Sequence, residues 1–96
     1  MDANLIIKNL KKQKSNIKNT YKANIIGLFG SSARGEERPG SDIDLLVEFD
    51  SDADFINYMA LTNYLENILG RKVDLVSAPY LRDIIKPMVM KDLKKI

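Results

Sequence analysis

The chain has 96 residues, of which 45% are apolar, 7% aromatic and 29% charged, enough for one hydrophobic core and too few for two. It contains neither Cys nor His. That removes disulfides, thiolate nucleophiles, Ser-His-Asp and Cys-His catalysis, Cys- or His-ligated metals and histidine pH switches, and leaves carboxylates, hydroxyls, Lys, Arg, backbone amides and a hard metal ion to do any chemistry.

The apolar runs fall well short of the roughly 20 residues that span a bilayer, and no cleavable signal pattern opens the chain, so the expected location is the cytoplasm. The net charge of +2 is unevenly spread: residues 1–24 carry +5, residues 25–70 carry −7 and residues 71–96 carry +4. The basic ends read as solvated helix faces, or as a rim that attracts an anionic nucleotide or an acidic partner.

Ile6, Leu10, Ile17 and Tyr21 recur at near-helical spacing among lysines and predict an amphipathic first helix. Ala23 to Phe29 is short, β-branched and apolar and stops at Gly30, which predicts a buried strand. Gly30-Ser31-Ser32 reads as a strand-to-helix turn with a hydroxyl N-cap, opening a short helix that ends near Gly35. The segment Glu36 to Ser41, with Arg38-Pro39-Gly40, is a loop, and Asp42 to Phe49 a second strand. An acidic turn from Asp50 to Asp54 then caps a helix paced by Tyr58, Leu61, Leu65 and Ile68 and ended by Gly70. Val73 to Val76 is a third strand. Ser77-Ala78-Pro79 opens a further helix, Pro87 breaks or restarts it, and Met88 to Ile96 is a basic tail. The order α-β-α-β-α-β-α makes an α+β sandwich with a small sheet of three or four strands.

Two features stand together. Gly30-Ser31 ends the first strand, and Asp42-Ile43-Asp44 opens the next. Period-two geometry puts Asp42 and Asp44 on one strand face and Ile43, Leu45 and Val47 on the other. Two acids so placed repel unless a cation lies between them, and Mg²⁺ takes oxygen ligands together with waters and substrate phosphates. Asp74, between Val73 and Leu75, leaves the buried face of the third strand. If the second and third strands are neighbours, three carboxylates converge. Such a trio can hold paired metals that activate a hydroxyl and steady a leaving pyrophosphate, with Asp74 as base or as ligand of the activating metal. On the other side, Gly30 admits a phosphate close to the backbone, Ser31 adds a hydroxyl donor, and Arg34 reaches a β- or γ-phosphate with a donor fork that Lys lacks. Either pair alone is ordinary punctuation. At average residue usage the four positions coincide by chance in about one chain in a thousand of this length.

The remaining candidates have plainer readings. Glu36, Glu37, Asp50, Asp52 and Asp54 are loop and capping acids. Phe55, Tyr58, Met59 and Tyr64 are core or interface rather than a base-stacking platform. Tyr21 and Tyr80 pack at edges, and Arg82 and Lys86 belong to a solvated face.

The runs Gly30-Ser31-Ser32-Ala33-Arg34-Gly35 and Ser41-Asp42-Ile43-Asp44-Leu45-Leu46-Val47, separated so that ten residues lie between Gly-Ser and Asp-X-Asp, resemble the signature of the DNA polymerase β-like nucleotidyltransferases. In so short a chain they are similar to the minimal nucleotidyltransferase (MNT) antitoxins, usually encoded beside a HEPN-domain toxin ribonuclease in type VII toxin–antitoxin pairs. The resemblance implies one minimal domain over residues 1–96, with a mixed sheet flanked by helices. It implies that Gly30 and Ser31 contact the triphosphate, that Asp42 and Asp44 ligate Mg²⁺, and that Asp74 is the third catalytic carboxylate. For the antitoxin branch it implies transfer of AMP from ATP to a tyrosine of the toxin. Larger relatives use a second domain to grip the acceptor; at 96 residues the expectation is that the acceptor comes from a partner chain or a second subunit.

Two other readings stay open. One is an antitoxin that neutralises its partner by contact alone. The other is a nucleotidyltransferase for a small molecule or an RNA end. Aromatic and basic residues are not interleaved, so direct nucleic-acid binding is not expected.

Overall fold

The computed structural model describes residues 2–36 and 38–96; Glu37, read above as a loop acid, lies outside them. Helix α1 runs from Ala3 to Tyr21, strand β1 from Ala23 to Phe29, and the short helix α2 from Gly30 to Arg34. Strand β2 covers Ile43–Phe49, helix α3 Phe55–Leu69 and strand β3 Val73–Ser77. A 3₁₀ turn over Ala78–Tyr80 precedes helix α4, Lys86–Asp92, and strand β4, Lys94–Lys95. The expected α+β architecture is present, with a four-stranded sheet in the order β3-β2-β1-β4. β1 is antiparallel to β2 and to β4, and β2 is parallel to β3.

The periodicity of α1 has its cause in burial: Ala3, Ile6, Leu10 and Ile17 are buried while the lysines face outward. They join Ile25 and Leu28 of β1, Ile43, Leu45 and Val47 of β2, Leu61, Leu65 and Leu69 of α3, and Val73 and Leu75 of β3 in one core. Both the 3.6-residue and the two-residue repeats therefore end in the same place. The stripe on α3 is Leu61, Leu65 and Leu69 rather than one continuing through Ile68, which is 36% exposed.

Caps agree with the sequence at α3. Asp54 and Asn57 form a reciprocal capping box, and Gly70 ends the helix in the left-handed region. Lys18 and Lys22, at the end of α1, pair with Asp50 and Asp52 of the turn after β2. Part of the basic amino-terminal charge is thereby spent on the acidic middle. These exposed pairs contribute little individually.

Three expectations are corrected. The hydroxyl N-cap of α2 does not form: Phe29 occupies the cap position without a side-chain bond, and Gly30 is already the first helical residue. The helix expected from Ser77 is a single 3₁₀ turn, and α4 starts only at Lys86 with Pro87 in its first turn. Pro87 lacks an N–H and is tolerated only there, so it fixes where the helix starts. The basic tail is structured too. Lys94 and Lys95 pair with Leu28 and Gly27, and the Ile96 amide donates to the Ile26 carbonyl at 3.0 Å. A Cβ on Gly27 would meet Leu93 and the Lys94 carbonyl at 2.6 and 2.7 Å, so that glycine is what lets β4 approach.

Tyr64 packs at a tilt against Tyr21, ring centroids 5.1 Å apart, and its hydroxyl donates to Gln13 at 2.7 Å. The Tyr58 hydroxyl donates to the Leu75 carbonyl. Both are packing residues, as is Tyr21. Phe55, Met59 and Tyr80 are instead exposed, Tyr80 at 84%, which overturns edge packing for Tyr80. Arg82 and Lys86 face solvent as expected.

Candidate active site

The site follows from register. Across the antiparallel β1–β2 pair, Phe29 stands opposite Asp44. Across the parallel β2–β3 pair, Asp44 stands opposite Asp74. One row therefore crosses three strands, with the start of α2 at one end and the edge-strand carboxylate at the other. Because Ile43, Leu45, Val73 and Leu75 face the core, alternation sends Asp44 and Asp74 to the opposite face together.

Gly30 makes the junction. Its φ is +75°, a region closed to most side chains. A Cβ there would collide with a carboxylate oxygen of Asp44. Two independent constraints thus require glycine at this turn, and both bring the turn onto Asp44. Ser31 follows within α2, half-buried, with its carbonyl accepting the Glu36 amide at 2.9 Å.

Asp42 lies one residue before β2 and is exposed. The loop that carries it is pinned at both ends. The Arg38 amide donates to the Ser41 hydroxyl at 2.9 Å, Arg71 donates to the Ser41 carbonyl at 2.7 Å, and the Ile43 amide donates to the Lys72 carbonyl at 2.9 Å. Glu66 of α3 in turn accepts the Val73 amide at 3.0 Å, which ties β3 to the same scaffold.

The electrostatics register the crowding. Partial burial, then the charge of Asp74, then that of Asp42 push the Asp44 carboxyl up to about 6, against the attraction of Arg34. All three acids therefore lie within electrostatic reach of one another. Among the described residues, however, no three such side chains close into a ready-made metal cage. The donor set is oxygen only and suits a hard cation rather than zinc or copper. Gly30 itself packs against the Asp44 carboxylate, which brings the turn beside these oxygens. On donor chemistry and electrostatics the residues fit Mg²⁺.

Arg34 lies on α2 beyond the turn, as the spacing predicts. Its Nε donates to Glu36 at 3.0 Å and its Nη1 to Asp92 of α4 at 2.5 Å. These hydrogen bonds, first that to Glu36 and then that to Asp92, hold the guanidinium above its ordinary range. Sequence reasoning missed Asp92, Arg71 and Glu66. Asp92 is 58 positions from Arg34, and no local spacing signals such a pair.

The profile of the nucleotidyltransferase domain family matches residues 6–96. The Methanocaldococcus jannaschii protein MJ1379, named as a candidate protein adenylyltransferase, is 46% identical over 88 residues, covering 90% of this chain and 85% of its own. Protein adenylyltransferase MntA of Thermococcus cleftensis is 35% identical over 80 residues, covering 83% and 81%. Among solved structures, one described as a minimal nucleotidyltransferase superposes with a TM-score of 0.76 at 30% identity, covering all of this chain and 97% of that one. A toxin–antitoxin complex with AMP-PNP gives 0.69 at 30% identity, covering 99% and 72%. A tri-AMPylated Shewanella oneidensis HEPN toxin in complex with MNT antitoxin gives 0.67 at 26%, covering 97% and 70%.

Proposed function

The chain belongs to the nucleotidyltransferase domain family, and on that premise we propose that it is a single minimal domain that transfers AMP from ATP, with Mg²⁺, to a tyrosine of a HEPN-domain toxin. The observation that carries the reading is the row Phe29, Asp44, Asp74 with the Gly30 turn folded onto Asp44. The MntA relative, the AMP-PNP complex and the AMPylated HEPN toxin support adenylyl transfer to a protein partner.

In this reading the acceptor hydroxyl oxygen attacks the α-phosphorus, the bond from that phosphorus to the bridging oxygen of the β-phosphate breaks, and pyrophosphate leaves. Asp42 and Asp44 are the residues that would hold Mg²⁺, with Asp74 beside them, and a bound ion would supply positive charge to offset that of the phosphates. Gly30 and Ser31 receive the triphosphate, with the Ser31 hydroxyl as donor. Arg34 binds a β- or γ-oxygen and follows it as charge develops there. Asp74 is exposed on an edge strand, where an acceptor arriving from outside the chain meets it, and it takes the hydroxyl proton.

The test is intact-mass spectrometry of the partner after incubation with ATP and Mg²⁺. Wild type adds AMP-sized increments to a tyrosine, while Asp42→Ala and Asp44→Ala add none and still bind the partner. A tight complex with no added mass, together with an Asp42/Asp44 double alanine variant that still neutralises the toxin in cells, would establish neutralisation by contact instead. Adenylation of an RNA end or a small molecule in place of the partner would move the acceptor and keep the chemistry.

A further inference from the structure

Arg34 is placed for a triphosphate by position along α2, but a long exposed side chain has many rotamers, and position alone does not aim it. Two carboxylates take hold of it from different elements. Glu36 follows α2 directly, is 63% exposed and binds Nε. Asp92, near the end of α4, is only 18% exposed and binds Nη1 at 2.5 Å. Bonds at Nε and Nη1 fix the guanidinium plane, and among the described residues nothing claims the hydrogens of Nη2, the end of the fork. Asp92 is the less mobile of the two holders. Its helix packs on α2 and β1, its neighbour Leu93 packs over Gly27, and the next residues pair with β1.

Building on the proposed role of Arg34 in binding the nucleotide, we propose that Asp92 is a positioning residue. Through Nη1 it holds the Arg34 guanidinium ready for a β- or γ-phosphate of the incoming nucleoside triphosphate. The carboxyl-terminal α4–β4 unit thereby becomes part of the nucleotide site without touching the nucleotide. A held guanidinium loses less freedom when a phosphate arrives, and ordering one rotamer-rich side chain corresponds to roughly a 3- to 10-fold change in affinity. The opposite sign is a physical alternative, since an acid beside Arg34 also repels an anionic ligand.

Titration calorimetry with AMP-PNP on the whole chain separates these cases. Asp92→Ala is expected to raise Kd about 3- to 10-fold. Asp92→Asn, isosteric and still able to accept a hydrogen bond, is expected to give a smaller loss of the same sign. The Arg34→Ala/Asp92→Ala double variant is expected to bind no more weakly than Arg34→Ala alone, because Asp92 has nothing left to hold. Should Asp92→Ala not fold, the same cycle is run with Asp92→Asn. Binding as tight as or tighter than wild type in the Asp92 variants overturns the proposal. So do losses that add to those of Arg34→Ala. An Arg34→Ala variant that binds AMP-PNP like wild type overturns the role of Arg34 itself, and with it the inference, whatever the Asp92 variants do.

Discussion

At the residue scale the site is a compromise between folding and chemistry, and Asp44 carries most of it. In the unfolded chain its carboxyl titrates near the ordinary 3.8, and in the folded protein near 6. Between those values the folded state holds the extra proton, so stability falls as pH rises from about 4 to about 6, and the penalty is complete above that. Asp44→Asn removes the penalty. Calorimetry in the presence of a chelator should find the variant melting a few degrees above wild type at pH 7.5 and level with it at pH 4, with AMP transfer abolished. Adding Mg²⁺ should narrow the gap at pH 7.5, because a cation offsets the repulsion among the acids. Equal melting temperatures at both pH values would show that Asp44 carries no such cost. Gly30 is the companion case. Gly30→Ala must adopt a positive φ and push against Asp44, so denaturant unfolding should show a loss of about 1–3 kcal/mol, with transfer falling further than stability because the turn itself is displaced. The Gly-Ser and Asp-X-Asp pairs were legible in sequence because each is local. That Gly30 touches Asp44 was not, because the contact depends on Phe29 standing opposite Asp44 in the β1–β2 ladder.

At the scale of elements, most of the structure was legible where burial sets a period. The three main strands and the helices α1 and α3 begin and end within a few residues of the expected places. The failures are short elements whose cause lies elsewhere in the chain. β4 is two lysines, with no strand pattern of its own; it exists because Gly27 has no side chain to exclude it. Helix α2 dispenses with the hydroxyl cap that Ser31 and Ser32 suggest, because Gly30 has already entered the helix in a conformation those residues would resist. Ser32 is instead fully buried, and among the described residues its hydroxyl has no hydrogen-bond partner. The capping box of α3 lies toward the other end of β2 from the acids. Asp54→Ala should therefore cost about 1 kcal/mol of stability, or about 4–8 °C in melting temperature for a chain of this size. AMP transfer per folded molecule should stay unchanged. A matching fall in transfer would mean that α3 takes part in the reaction.

At the scale of the whole molecule, the site is assembled from segments far apart in the sequence. Asp42 depends on a loop tied by Arg71 and Ser41, and Arg34 meets Asp92 from the far end of the sequence. Gly27 makes the second of these connections possible. Gly27→Val should expel β4 and loosen α4. Amide exchange should then show lost protection at Ile96 and around Val89 while the α1 core remains protected; unchanged protection at Ile96 would mean that β4 does not need the glycine. The claim on which the rest depends is that the carboxylates of neighbouring strands form one reacting centre with the Gly-Ser turn. The most direct measurement is the initial rate of label transfer from α-labelled ATP to the partner by Asp74→Asn, which keeps the shape of residue 74 and removes its charge. The rate should fall about 100-fold or more, with partner binding and melting temperature near those of wild type. Transfer at the wild-type rate would contradict the claim.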